Sequence, residues 1–239
     1  MQATIIMKRL ATTMLLAAVA AISPAVAQDD VPKVSAIMTY VDEKNETQET
    51  TSITDCDAPL EVTFSAIAQN MGSHTPAYEW HFRKEGQATD MLVRYEETTT
   101  YRFVESGTFN ITLLTTLTDT GEELDSATVT VTISESQLEY PNAFSPNDDS
   151  RNDRFVPKKC RSIVQFHAYI FNRWGQKLID WTDPNFEWDG TAHGKPLKDG
   201  VYFLLVKAKG ADGRDYNIRK DVNLLRGYTE TNNSTTSTP

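Results

Sequence analysis

The residues of greatest chemical capacity in this chain lie between Asn147 and Asp153. Asn147, Asp149, Ser150 and Asp153 offer oxygen-bearing side chains at close spacing. Ca²⁺ takes about six to eight oxygens at ~2.4 Å, so these four residues form a candidate Ca²⁺ loop. The standard long calcium loop does not fit, because Asp153 sits where its glycine should be. The competing reading is a loop in which Asn and Asp side chains bond neighbouring backbone N–H groups, and the spacing favours it. No other cofactor is implied.

Cys56 and Cys160 are the only cysteines. In an oxidising compartment such a pair can be bridged, which would tie the two halves of the chain and close a loop of about a hundred residues. Two separate buried thiols are the alternative. Four tryptophans, Trp80, Trp174, Trp181 and Trp188, could stack on sugar rings. Trp80 alternates with Tyr78 and Phe82 and reads as core, while Trp174 and Trp188 adjoin turn residues and are expected to pack over a β-layer. Trp181 is the least constrained and is the candidate glycan platform. His74, His81, His167 and His193 stand singly, without metal-pair spacing. No Gly-x-Ser-x-Gly elbow occurs. Neighbouring carboxylates such as Asp148/Asp149 and Glu96/Glu97 would point to opposite faces of a strand. The expectation is a protein with no catalytic residues, not an enzyme.

The elements that must position these groups read as strands. Leu60, Val62, Phe64, Ala66 and Ala68 alternate at period two, as do Thr99, Tyr101 and Phe103, then Phe109, Ile111 and Leu113, then Val129, Val131 and Ile133. Ser106-Gly107 and Asp119-Thr120-Gly121 punctuate them. Further strands are predicted over residues 164–172, 177–181, 201–208 and 214–225, with Gly210-Ala211-Asp212-Gly213 as a hairpin turn. Helical periodicity is absent. The fold class is all-β, two consecutive β-sandwich domains after an N-terminal signal peptide.

Residues 1–27 carry the signal-peptide pattern: basic Lys8 and Arg9, an apolar run from Leu10 to Ile22, and Ala25-Val26-Ala27 with cleavage after Ala27. The run falls short of the ~20 residues a spanning helix needs. No later segment is apolar enough to cross a bilayer, so no transmembrane segment is expected in the mature chain. Residues 34–134 form the first expected sandwich and 139–227 the second, joined by a polar connector. Residues 228–239 are a Thr-, Ser- and Asn-rich tail expected to be disordered. Charge divides unevenly: residues 28–138 hold 20 acidic against 6 basic residues, and residues 139–239 hold 13 against 15. So acidic a first half argues against nucleic acid as a partner.

Two stretches carry family resemblances. Tyr78-Glu79-Trp80-His81-Phe82, followed by Tyr101 to Leu113 with its Ser106-Gly107-Thr108-Phe109 step, resembles a polycystic-kidney-disease-type (immunoglobulin-like) domain. That resemblance implies a spacer or an interaction module. Pro141 to Asp153, Ile170-Phe171-Asn172-Arg173-Trp174-Gly175, Trp188-Asp189-Gly190-Thr191 and Asp199-Gly200-Val201-Tyr202 together resemble the gliding-motility-associated C-terminal domain. That second resemblance implies a sorting and attachment signal read by the type IX secretion outer-membrane machinery. Export through the periplasm to the cell surface, the outer membrane or the medium would follow. The alternatives are an adhesin or accessory protein with a surface glycan or protein ligand, or a structural part of an envelope assembly.

Overall fold

The computed structural model describes residues 31–227. The signal-peptide pattern with its Ala27 cleavage site, and the tail 228–239, lie outside the described residues. Within them every regular element is a strand. The first nine are β1 (Lys33–Val41), β2 (Thr47–Thr50), β3 (Ser52–Cys56), β4 (Leu60–Gln69), β5 (Pro76–Lys84), β6 (Leu92–Arg94), β7 (Thr98–Phe103), β8 (Gly107–Leu117) and β9 (Ala127–Ile133).

They form two sheets, ordered β2-β1-β4-β7 and β3-β9-β8-β5-β6. Only β3 and β9 pair in parallel within them. Side chains two residues apart share a face, so Val62, Phe64, Trp80, Phe82, Ile111, Leu113, Val129 and Val131 all turn into the space between the sheets. Phe64 is the hub, with ring centroids 5.1 Å from Phe82, 6.0 Å from Trp80 and 6.3 Å from Phe103. The Trp80 indole N–H donates to the Glu96 carbonyl at 2.9 Å, which lets a polar atom enter this core. Ala68, expected on the inner face of β4, is exposed because it lies beyond the end of the core.

The remaining strands are β10 (Gln137–Glu139), β11 (Ala143–Phe144), β12 (Lys159–Arg161), β13 (Ile163–Phe171), β14 (Lys177–Trp181), β15 (Thr191–Ala192), β16 (Lys195–Pro196), β17 (Gly200–Gly210) and β18 (Asp215–Leu224). Five make one sheet, β11-β18-β17-β13-β14. Its inner face (Ala168, Ile170, Leu204, Val206, Val222, Leu224) is covered by Tyr140, Phe144, Phe155 and Trp188 from loops and strand ends. Two short ladders, β10–β12 and β15–β16, accompany those rings.

The polar connector between the sandwiches is a fixed element. Ser136 is buried, and its hydroxyl donates to Asp212 Oδ1 at 2.7 Å and lies 2.9 Å from the Tyr216 hydroxyl. Gly210 leaves no room for a Cβ beside Ser136. Arg161, at the end of β12, spans the junction. Its Nε donates to Asp57 Oδ1 at 2.9 Å, and its Nη2 to the Asp55 carbonyl, Asp55 Oδ1 and the Ser134 hydroxyl at 3.1, 3.0 and 2.9 Å. The Ala58 N–H donates to Ser162 Oγ, and the Ser106 N–H to the Ala211 carbonyl. Ala211, at the β17–β18 hairpin tip, and Val164 pack into the first core. The described residues from Pro32 to Gly227 thus form one compact body.

Candidate functional site

The Asn147–Asp153 loop closes on itself. The Asp153 carboxylate accepts backbone N–H groups of Asn147 and Asp148 at Oδ1 (2.9 and 2.8 Å) and of Ser150 at Oδ2 (2.7 Å). Asn147 Oδ1 accepts from the Asp149 N–H, and Asp149 Oδ1 from the Arg151 N–H. Asp148, Ser150 and Asn152 hold φ values of 62°, 67° and 53°, a left-handed geometry that glycine adopts without a steric penalty. The side-chain bonds offset that penalty here. Burial opposes ionisation of Asp153, but the N–H groups of Asn147, Ser150, Asp148 and Asp149 outweigh it and hold the carboxyl below the usual range. The four candidate Ca²⁺ ligands are therefore brought together, with Asp153 engaged by the loop's own backbone. Among the described residues no group of three His, Cys, Asp or Glu could hold a metal ion.

Cys56 and Cys160 stand as free thiols. Cys56 packs against the first core and Cys160 against the second. Burial pushes both thiols up, which keeps them protonated at neutral pH. The same two chain segments are nonetheless joined, because Arg161, next to Cys160, grips Asp55 and Asp57 on either side of Cys56.

The tryptophans reverse two expectations. Trp181, the candidate glycan platform, is 7% exposed, with its ring against Phe186 in the second core. It closes β14 on the inward face, so no sugar can reach it. Trp174, expected to pack over the layer, is 81% exposed. It stands at the β13–β14 turn, where Asn172 Oδ1 accepts the Trp174 and Gln176 N–H groups and Gly175 takes φ 76°. A turn fastened by Asn172 needs no packing from its tip, and the Arg173 guanidinium lies over the Trp174 ring at 5.6 Å.

Trp188 is fully buried, with its N–H donated to the Thr191 carbonyl at 2.8 Å. Asp189 Oδ1 accepts the Thr191 N–H and hydroxyl. A Cβ on Gly190 would lie 2.9 Å from Arg226 Nη2 and from Leu224 Cδ1, so glycine is required there. Arg226 donates to the carbonyls of Leu197, Pro146 and Gly190, which ties three loops to the end of β18. Asp199 Oδ1 accepts the Arg226 N–H. These motif residues hold the loop layer together.

The face of the five-stranded sheet turned away from this core has a different composition. Register places Phe171, Phe203 and Asp221 in one cross-strand row, Tyr169, Leu205 and Arg219 in the next, and His167, Lys207 and Asn217 in a third. Gln165, Lys209 and Asp215 make a fourth row. The His167 and Tyr169 rings stack at 4.2 Å, and those of Tyr169 and Phe171 at 6.1 Å. Asp180 Oδ2 lies 3.0 Å from His167 Nε2, and Lys177 Nζ lies 2.8 Å from Asp180 Oδ1. Lys177, then His167, hold the Asp180 carboxyl low. A concavity of about 770 Å³ opens beside Phe171, Phe203, Leu205 and Arg219. The common face of these basic residues depends on strand register, which a sequence alone does not show. Among the described residues no helix is long and apolar enough to cross a membrane.

Residues 138–220 match the family model of the CHU_C type IX secretion signal domain. No curated protein matches the sequence. Among solved structures, the chain is similar to the fibronectin(III)-like modules of Clostridium thermocellum CbhA, at 15% identity over 79% of this chain and 93% of that one, with a TM-score of 0.26. It is similar to three N-terminal domains of the bacteriophage RB49 outer capsid protein Hoc, at 15% identity over 81% and 59%, with a TM-score of 0.34. A third similarity is to dimeric latent PorU from Porphyromonas gingivalis, at 12% identity over 82% of this chain and 20% of that one, with a TM-score of 0.25.

Proposed function

From the premise that residues 138–220 form a type IX secretion signal domain, we propose that the chain is an exported, non-enzymatic surface protein. In this reading the C-terminal sandwich is the sorting and attachment signal, and the immunoglobulin-like sandwich is its passenger. The family match is the observation that carries the reading. The side-chain chemistry supports it: Asp153 serves its own loop, and His74, His81 and His167 each lie against a surface carboxylate. Such groups build structure. The partner that follows is the type IX outer-membrane machinery, and the destination is the cell surface or the outer membrane.

The test uses the full chain in two otherwise identical hosts, one with a working type IX apparatus and one with its outer-membrane translocation pore disabled. Fractionation and surface protease accessibility are then compared. Surface or released protein only in the first host is the expected result. Equal distribution in both hosts would remove the sorting role.

A further inference from the structure

Resting on that export reading, we propose that the outer face of the five-stranded sheet is the surface by which the signal sandwich docks its receptor. The receptor is a protein of the export machinery that presents an apolar patch edged by carboxylates. Every residue of this face that the argument uses lies within the matched segment 138–220.

The face has two halves. Phe171, Tyr169, Phe203 and Leu205 make the apolar half, and Phe203 is 40% exposed. Lys207, Lys209 and Arg219 make the charged half, with Asp215 across from Lys209 and Asp221 across from Phe203, so cations outnumber carboxylates three to two over these rows. Lys177 already has a carboxylate partner in Asp180, whereas those three have none among the described residues. A sheet face with only solvent to meet is normally polar, so exposed rings beside unpaired cations mark a surface with a partner. The passenger leaves the apolar rows, Lys207 and Arg219 open, since its contacts run through Arg161, Ser162, Val164 and Ala211; Lys209 borders that junction, lining a cleft with Lys84 and Glu105 of the first sandwich.

The chemistry selects the class of partner. The rings along β13 stack on one another at interplanar angles of 23° and 27°, so each turns its faces to its neighbours and its edge outward. A sugar ring needs an exposed aromatic face, which this row does not offer. Upright rings with a concavity beside them suit side chains inserted from another protein. Three free cations call for carboxylates on that protein, placed where they steer the approach. Polyanions such as nucleic acid are disfavoured by the 20 acidic residues among residues 28–138.

The experiment keeps the chain whole. Lys207→Glu, Lys209→Glu and Arg219→Glu are combined in one variant, and Phe203→Ser is made in another. Lys195→Glu with Lys198→Glu, outside this face, is the control. Each is expressed in the host with the working apparatus, and melting is measured on purified protein. Both face variants should melt near the parent temperature, while their surface-accessible fraction falls about tenfold and the periplasmic pool rises. The control should export normally. A photocrosslinker in place of Phe203 should capture a protein other than this chain.

If both face variants export like the parent, and the parent still depends on the apparatus, the docking face is wrong and the export reading stands. If the parent does not depend on the apparatus, both fall. Should the charge variant melt early, Phe203→Ser and the crosslink decide. Crosslinking only to a second copy of the chain, or to a protease-resistant glycan, overturns the proposal.

Discussion

The two sandwiches finish their outer surfaces differently, although each leaves apolar side chains about two-fifths exposed, Ile67 and Leu114 on the first and Phe203 on the second. On the first, hydroxyls bond one another across strands: Thr112 with Thr128 at 3.1 Å, Thr63 with Thr100 at 3.2 Å and Thr108 with Thr132 at 3.4 Å. Thr130 donates to Asn110 in the same manner. The methyl groups suit the pleat and the hydroxyls satisfy each other or water. On the second, the equivalent positions hold His167, Tyr169, Phe171, Phe203, the cations Lys207, Lys209 and Arg219, and the carboxylates Asp215 and Asp221. Burial requirements explain neither choice, because both inner faces are already filled. The contrast therefore lies in side chains that neither core needs.

The contrast is broken or sharpened most strongly by comparing rings inside and outside. Phe64→Ala removes the hub of the first core and should cost about 3–5 kcal/mol in urea unfolding. Phe203→Ala should cost under about 1 kcal/mol, because the ring is half in solvent already. Equal losses would make Phe203 a structural residue and erase the distinction between the two outer faces.

The next largest effect is expected at the junction, where the two surfaces meet. Arg161→Ala removes four donated bonds and should cost about 1–2 kcal/mol, discounted for the partial exposure of the guanidinium. The loss should depend on pH. Burial pushes the Asp57 carboxyl up, against the opposing pull of Arg161. A carboxyl held up favours the folded state at low pH and costs stability as pH rises through its folded value. Without Arg161 that cost grows, so the variant should lose more stability at pH 7 than near pH 4. Melting curves at the two pH values test this, and equal losses would mean Arg161 does not neutralise Asp57.

The smallest effect belongs to the Asn147–Asp153 loop. Its carboxyl is held low, so its contribution is present above the unfolded value and is lost as pH falls through the folded one. Asp153→Asn should lower the melting temperature at neutral pH by less than Arg161→Ala does, and should flatten the acid side of the profile. Melting raised by Ca²⁺ in the parent and not in the variant would reopen the metal reading.

Much of this is legible in the sequence itself. Period-two runs located β4, β5, β7, β8 and β9 and named Trp80 and Phe82 as core, because each run is long enough to set its own parity. The Asx-rich loop was readable because its bonds are local in sequence. What escaped depends on distant partners. Trp174 and Trp181 exchanged roles because β14 is short and follows a register shift at Ile170/Phe171, so parity cannot be carried through it. Strands β1 to β3 were not singled out, although Val34, Ala36, Met38 and Tyr40 alternate. The junction could not be foreseen at all, since Arg161 lies more than a hundred residues from Asp55 and Asp57.

That junction bears on any attempt to move the signal to a new cargo. A foreign protein spliced ahead of Leu138 would leave Arg161 with no carboxylates to grip, and Val164 and Ala211 with no neighbouring core to enter. The graft would have to bring along the Asp55-Cys56-Asp57 corner, or swap Val164 and Ala211 for polar residues and Arg161 for one content in water. Portability here is a property of the pair of sandwiches, and a fusion reporter designed without that corner would measure the repair of a torn seam as much as the address it carries.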